Sequence, residues 1–177
     1  MPFNCRGSDR ARSSYQEGSK AGVISVLGLD VGRKRIGVAG CDRLGQLATG
    51  LRTIQRRSFA HDLEQLRQLC QERQVERLVV GLPYTLNGEL GSQARQVQHL
   101  AERFGKALDL PVEYVDERLT SFQAEEILKQ RGRSPRREKA LVDQIAAALI
   151  LQQWLDALKQ PGQTTVATPR PTAAERD

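Results

Sequence analysis

The sequence predicts an α/β fold with a five-stranded mixed sheet, in which a three-strand antiparallel meander precedes two parallel strands and helices cover both faces. Two observations predict it. The chain has 177 residues, enough for one domain with a full core but too few for two large ones. Short β-branched runs come first, and apolar runs then alternate with stretches of helical periodicity, which is typical of βαβ units.

The first three strands follow one another without an intervening helix. Residues 23–30, VISVLGLD, predict a buried strand because apolar and β-branched residues dominate. A turn containing Gly32 leads to RIGVAG at 35–40, so the two runs predict a hairpin. We expect a third strand within 47–54 to complete the meander.

Helices and strands alternate after the meander. Apolar residues at helical spacing predict an amphipathic helix over 59–73 and another over 94–108. RLVVGLP at 77–83 predicts a short buried strand that Pro83 ends, and PVEYVD at 111–116 predicts the last strand.

Two further helices are predicted at the end of the core. Thr120 opens a capping-box spacing, so a helix starts there and runs to Gly132. Ser134 and Pro135 have the residue types of an N-cap and a first helical position, and they predict a last helix that ends near Leu158.

The two ends of the chain differ in composition from the core at 23–158. Residues 1–22 are rich in Ser, Arg and Gly, and residues 159–177 in Pro, Thr and Ala, with few large apolar side chains. Such segments bury too little apolar surface to offset the entropy of ordering. We therefore expect a disordered basic N-terminal tail, one domain, and a disordered C-terminal tail.

Composition restricts the class of protein. The formal net charge is +6 and the pI is about 9.6, which suits a polyanionic partner. Three widely spaced cysteines and two histidines exclude a disulfide framework, a zinc cluster and a multi-histidine site. No apolar run approaches the roughly 20 residues that span a bilayer, and no signal peptide is evident. We expect a cytoplasmic protein without a membrane partner.

Three acidic residues occupy positions where a charge is costly. Asp30 ends the first strand, Glu117 follows the last strand, and Asp143 lies on the apolar face of the last helix. Each has a simple alternative explanation: a turn, a helix cap, or a salt bridge with Arg118 or Lys139. Together they are expected to converge at the carboxyl ends of the central strands. Such a set of oxygen ligands suits Mg²⁺ or Mn²⁺, and a pair of these ions hydrolyses phosphodiester bonds in known enzymes.

Four sequence stretches occur in an order that characterises one protein family. They are LGLDVGRKRIGVA (27–39), VVGLPYTLNGELG (79–91), VDERLTS (115–121) and VDQIAAALILQQWL (142–155). Together they resemble the YqgF/RuvX family of RNase H-like proteins, named as Holliday junction resolvases and as pre-16S rRNA nucleases. The resemblance implies an RNase H-like fold and places the catalytic and metal-binding acids at Asp30, Glu117 and Asp143. This chain departs from the family at Gln144, where Ser is frequent.

Basic residues flank the predicted site. The 129–139 stretch, KQRGRSPRREK, has six basic residues and one acid, so it is the best candidate for a nucleic-acid track, although a solvated linker has the same composition. The residues expected to bind phosphates are Arg33, Lys34, Arg35, Arg118, Arg131, Arg133, Arg136 and Arg137. The 81–88 loop is expected at the rim of the same cleft.

The leading functional prediction is a metal-dependent nuclease that acts on structured RNA, and the resemblance implies processing of the 5′ end of pre-16S rRNA in ribosome biogenesis. A Holliday junction resolvase acting on branched DNA is the first alternative, and a non-catalytic nucleic-acid-binding protein is another. A phosphotransferase of the actin and sugar-kinase type needs two domains, which this length does not allow. We expect a monomer or a weak homodimer.

Overall fold

The computed structural model describes residues 24–85, 87–117 and 120–159. The predicted terminal tails therefore lie outside the described residues, apart from Lys159. The strands are β1 (Val26–Val31), β2 (Arg35–Cys41), β3 (Ala48–Gln55), β4 (Arg77–Leu82) and β5 (Val112–Asp116). The helices are α1 (Phe59–Arg73), α2 (Ser92–Leu108), α3 (Thr120–Gln130) and α4 (Lys139–Lys159).

The five strands form one sheet in the order β3-β2-β1-β4-β5. The pairs β1–β2 and β2–β3 are antiparallel, and β4 pairs in parallel with both β1 and β5. This confirms the predicted meander followed by two parallel strands. Strand β1 is central, and Asp30 near its end lies opposite Gly37 of β2.

Helices cover both faces of the sheet, as predicted. Successive side chains of a strand point to opposite faces. Leu27 and Leu29 of β1 are fully buried beneath α1 and α2. On the other face, Val26 packs beneath α4, whose buried residues include Ile150 and Leu151. Helix α3 packs on α4.

The ends of the helices follow local capping chemistry. The hydroxyl of Ser58 accepts a hydrogen bond from the His61 N–H at 3.2 Å, which begins α1. After α3, Gly132 adopts φ +68° and its N–H donates to the Lys129 carbonyl at 2.9 Å. The predicted stop at Gly132 is therefore correct, although the helix itself ends two residues earlier.

The predicted start of the last helix is wrong by four residues. Instead of a helix from Ser134 and Pro135, the chain makes a turn in which the N–H groups of Arg137 and Glu138 both donate to the Ser134 carbonyl at 3.1 Å. Helix α4 then begins at Lys139. Ser134 and Pro135 have residue types that suit a turn as well as a helix start, and the local hydrogen bonds here close the turn.

In the described ranges, no helix is both long enough and apolar enough to span a bilayer.

Candidate active site

Asp30 and Glu117 meet across strand β4, which separates the strands that carry them. Glu117 follows β5, and its N–H donates to the Leu82 carbonyl of β4 at 2.9 Å. At the crossing point β4 has Gly81. A Cβ atom there would lie 2.6 Å from Glu117 Oε2 and 2.5 Å from Ile150 Cδ1. The missing side chain thus leaves the space through which the Glu117 carboxyl group reaches Asp30.

The two carboxyl groups hydrogen-bond to each other. Burial raises the pKa of Glu117 far above its ordinary value, and the neighbouring charge of Asp30 and the hydrogen bond to it raise it further. Burial also raises the pKa of Asp30, while the hydrogen bond with Glu117 partly offsets this effect. With the pKa of Asp30 raised to about 6 and that of Glu117 raised to about 9, the pair holds one proton in common near neutral pH.

Asp143 is brought to the sheet by a second glycine. A Cβ atom on Gly37 would lie 2.0 Å from the main-chain oxygen of Asp143, so α4 rests directly on the backbone of β2. Arg35, two residues before Gly37 on the same strand face, donates from Nε to Oδ2 of Asp143. The Asp143 charge also reaches Asp30 and raises the pKa of that residue. The ion-pair partner of Asp143 is therefore Arg35, rather than the suggested Lys139.

Two further contacts fix the start of α4 over the outer strand β3. The hydroxyl of Thr53 donates to the main-chain carbonyl of Ala140 at 2.6 Å. Gln144 packs on Gly50, where an added Cβ would lie 2.7 Å from the Gln144 Cβ. The side chain that departs from the family pattern therefore lies over β3.

The carboxyl groups suit a hard divalent cation by their chemistry, since Mg²⁺ and Mn²⁺ prefer oxygen ligands. Asp30 and Glu117 interact directly, and burial raises the pKa of both carboxyl groups. Over the described part of the chain, however, no group of three or more acidic, histidine or cysteine side chains is arranged to hold an ion. The Asp143 carboxylate is engaged by Arg35.

The basic residues predicted near the first hairpin have different environments. Arg33 and Lys34 are exposed in the turn between β1 and β2, and Arg35 is half-buried and paired with Asp143. Arg118 lies outside the described residues.

The basic segment, residues 129–139, runs from the last two residues of α3 to the first residue of α4. Two of its cations are paired: Lys129 with Glu126 at 2.7 Å and Arg133 with Glu138 at 2.8 Å. The other four are exposed and make no ion pair with the residues that the structure describes; they are Arg131, Arg136, Arg137 and Lys139.

Sequence reasoning missed the role of Gly37 and Gly81. Both interrupt apolar strands, in RIGVAG and RLVVGL. A glycine inside a strand often marks the close approach of another group, and this signal was present in the sequence. Which group approaches depends on the strand order and on the path of α4.

Sequence comparison identifies the family. The family model described as RuvX, Holliday junction resolvase, matches residues 24–157. A protein of Thermosynechococcus vestitus, named "Putative pre-16S rRNA nuclease", is 76% identical over 149 residues, which are 84% of this chain and 99% of that protein. A relative of the same name from Trichormus variabilis is 62% identical over 144 residues, which are 81% of this chain and 95% of that protein.

Solved structures confirm the fold. RuvC of Thermus thermophilus, in complex with a Holliday junction substrate, aligns with a TM-score of 0.50 at 17% identity, over 77% of this chain and 96% of that one. The fowlpox virus resolvase, in complex with Holliday junction DNA, aligns with a TM-score of 0.50 at 10% identity, over 77% of this chain and 100% of that one. At such identities the likeness shows the fold alone. By its sequence the chain belongs to the RuvX family, and its fold is the RNase H-like fold of the resolvases.

Proposed function

We propose that this chain is a divalent-metal-dependent nuclease that hydrolyses phosphodiester bonds in structured RNA, with precursor 16S rRNA as its substrate. The observation that carries the proposal is the meeting of Asp30 and Glu117 across Gly81. Bringing two carboxyl groups together away from water destabilises a fold, and it occurs mainly where chemistry requires it. A proton or a cation must offset the repulsion.

Asp30, Glu117 and Asp143 would hold Mg²⁺ or Mn²⁺ through their carboxylate oxygens. A pair of such ions lowers the pKa of a bound water and stabilises the leaving oxygen of a phosphodiester. Arg35 has a planar guanidinium group that binds carboxylate and phosphate in the same geometry. An incoming substrate phosphate therefore competes with Asp143 for Arg35, and its binding releases the third carboxylate to the site.

The exposed cations around this edge would bind the substrate backbone. Arg33 and Lys34 follow Asp30 by three and four residues, and the basic segment leads into the helix that carries Asp143. Arg118 belongs to the same proposal by its position next to Glu117. Contacts of this kind give affinity and orientation without reading the sequence of the nucleic acid.

The names of the relatives favour RNA as the substrate. A second candidate is resolution of four-way DNA junctions, which the description of the family model favours. A junction presents two symmetric cleavage sites, so this activity would require a dimer. The free thiols of Cys41 and Cys70 are consistent with a reducing cytoplasm for either substrate.

The test is cleavage of a precursor rRNA fragment and of a four-way DNA junction by the full chain, with Mg²⁺ or Mn²⁺. We expect cleavage of the RNA by the wild type, and loss of cleavage with retained RNA binding in Asp30→Asn. The matched control is Asp109→Asn, at an exposed position with φ 55° that Asn adopts readily. Equal cleavage by the wild type and by Asp30→Asn would refute the site. Cleavage of the junction alone would favour the second candidate.

A further inference from the structure

A cavity of about 100 Å³ opens beside the end of β1, between that strand and α2. Its lining residues are Val31, Gly32, Arg33, Arg56, Gln93, Gln96, Val97 and Leu100. Because side chains alternate along a strand, Val31 points to this cavity while Asp30 points to the α4 face. The cavity therefore lies at the same edge of the sheet as the acidic pair, on the opposite face. We call it the edge cavity.

The lining combines an apolar floor with a polar rim. Val31 and Val97 are buried and Leu100 is half-buried, whereas Gln93 and Gln96 are exposed. Each glutamine amide can both donate and accept hydrogen bonds. A heterocyclic base has apolar faces and an edge of donors and acceptors, so it matches this lining. A bare phosphate would make no use of the apolar floor.

Arg56 forms a fixed wall of the edge cavity. Its Nη1 donates to the Gly32 carbonyl at 2.8 Å, and its Nε lies 3.7 Å from Oδ2 of the buried Asp62. Its backbone N–H donates to the Lys34 carbonyl at 2.9 Å. A guanidinium plane held in this way offers a flat face on which an unpaired base can stack.

The remaining polar side chains of the rim are available for a ligand. Within the described ranges, the side chains of Arg33, Gln93 and Gln96 make no hydrogen bond or ion pair with protein groups. The cavity volume also limits the ligand. An engineered protein cavity of about 150 Å³ holds one benzene ring, so about 100 Å³ open to solvent suits one six-membered ring that is partly inserted.

We propose that the edge cavity binds a single unpaired pyrimidine base of the substrate strand, close to the phosphodiester that is cleaved. The role in cleavage rests on the proposed nuclease function, whereas binding of the base itself does not. A strand that crosses the end of β1 passes from the acidic pair on one face to the edge cavity on the other. The cavity would then select substrates that have an unpaired pyrimidine beside the cleavage site.

The test is an NMR titration of the full chain, without metal, that follows the side-chain amide signals of Gln93 and Gln96. The probes are cytidine 5′-monophosphate, adenosine 5′-monophosphate and ribose 5-phosphate. We expect the cytidine nucleotide to shift both signals with a Kd near about 1 mM. The adenosine nucleotide should bind more weakly, and ribose 5-phosphate should leave the signals unchanged.

Two variants sharpen the test. Gln96→Leu keeps the approximate size of the side chain and removes its hydrogen bonds, so it should weaken cytidine nucleotide binding by about fivefold or more. Arg95→Ala removes an exposed charge of the same helix outside the cavity and should leave binding unchanged. Equal shifts with ribose 5-phosphate would show a phosphate site and overturn the proposal. Absence of shifts at the two glutamines, or equal weakening by both variants, would overturn it as well.

This titration contains neither metal nor a phosphodiester to cleave. A chain that binds the cytidine nucleotide but cleaves no nucleic acid would refute the proposed function and leave the base site standing. A chain that cleaves RNA but does not bind the nucleotide would refute only the base site.

Discussion

The Glu117→Gln substitution should stabilise the metal-free protein while it abolishes cleavage. Burial and the charge of Asp30 raise the pKa of Glu117 far above its ordinary value of 4.5. Between pH 4.5 and the raised pKa of Glu117, the folded state therefore binds more protons than the unfolded state. The stabilisation that this protonation provides is complete below about pH 4.5 and is lost as pH rises through the raised pKa. Glutamine replaces the shared proton by an amide donor that does not titrate.

The size of the effect follows from the environment of the pair. Two like charges about 4 Å apart interact by about 4 kcal/mol at an effective dielectric constant of 20. The shared proton and the partial exposure of both side chains reduce this figure, and we expect the free energy of unfolding to rise by roughly 1 to 2 kcal/mol at pH 8. A chain of this length changes its Tm by about 2 to 4 °C per kcal/mol, so the Tm should rise by roughly 2 to 8 °C.

Thermal unfolding followed by circular dichroism, with EDTA, from pH 5 to pH 9, measures this effect. The stability gain should be small at pH 5 and should grow with pH. Above about pH 4.5 the unfolded wild type ionises Glu117, whereas the folded wild type must keep it protonated, and Gln does not titrate. Glu64→Gln is a matched control at an exposed surface pair with Arg67 and should change little at any pH. A Glu117→Gln protein whose Tm is lower than that of the wild type at pH 8, or whose pH dependence is unchanged, would refute this account of the pair.

Three other variants, two single and one multiple, test how the site is built. Gly81→Ala places a methyl group 2.6 Å from Glu117 Oε2 and should reduce cleavage by at least about 100-fold, as initial rates would show, while circular dichroism reports a folded protein. Arg35→Gln frees Asp143 and should raise the Mn²⁺ affinity of the free protein about fivefold by calorimetry; lower affinity would contradict the pairing. Neutralising the basic segment should weaken RNA binding. It should also reduce the slope of log K against log salt by up to about 0.9 for each phosphate contact that is lost. An unchanged slope would show that this segment is only a linker. The residues to change are Arg131, Arg133, Arg136 and Arg137.

Local patterns predicted the elements of the fold well, because each depends on residues close in sequence. Short apolar and β-branched runs located β1 and β4, helical spacing located α1, and the meander followed from three strands in succession. The start of α4 was predicted poorly, since Ser134 and Pro135 suit both a turn and a helix N-terminus. Only the backbone hydrogen bonds at Ser134 show that this stretch forms a turn and not the start of a helix.

The arrangement of the site depends on contacts between distant parts of the chain. The costly positions of Asp30, Glu117 and Asp143 could be recognised in the sequence, and the ends of parallel strands indicated where they meet. The pairing of Arg35 with Asp143 joins residues 108 positions apart and requires the register of β2 and the placement of α4. For the same reason, the space above Gly81 could not be assigned to Glu117 before the strand order was known.

The contact of α4 with Gly37 determines how the site can respond to its ligands. No side chain separates the two backbones at Asp143, so there is no compressible layer whose repacking could move the helix toward or away from the sheet. The main chain at Asp143 is consequently fixed relative to β2, and rotation about the side-chain bonds of Asp143 is its remaining freedom. The Asp143 carboxylate can therefore exchange Arg35 for a new partner by side-chain rotation alone, without any displacement of secondary structure.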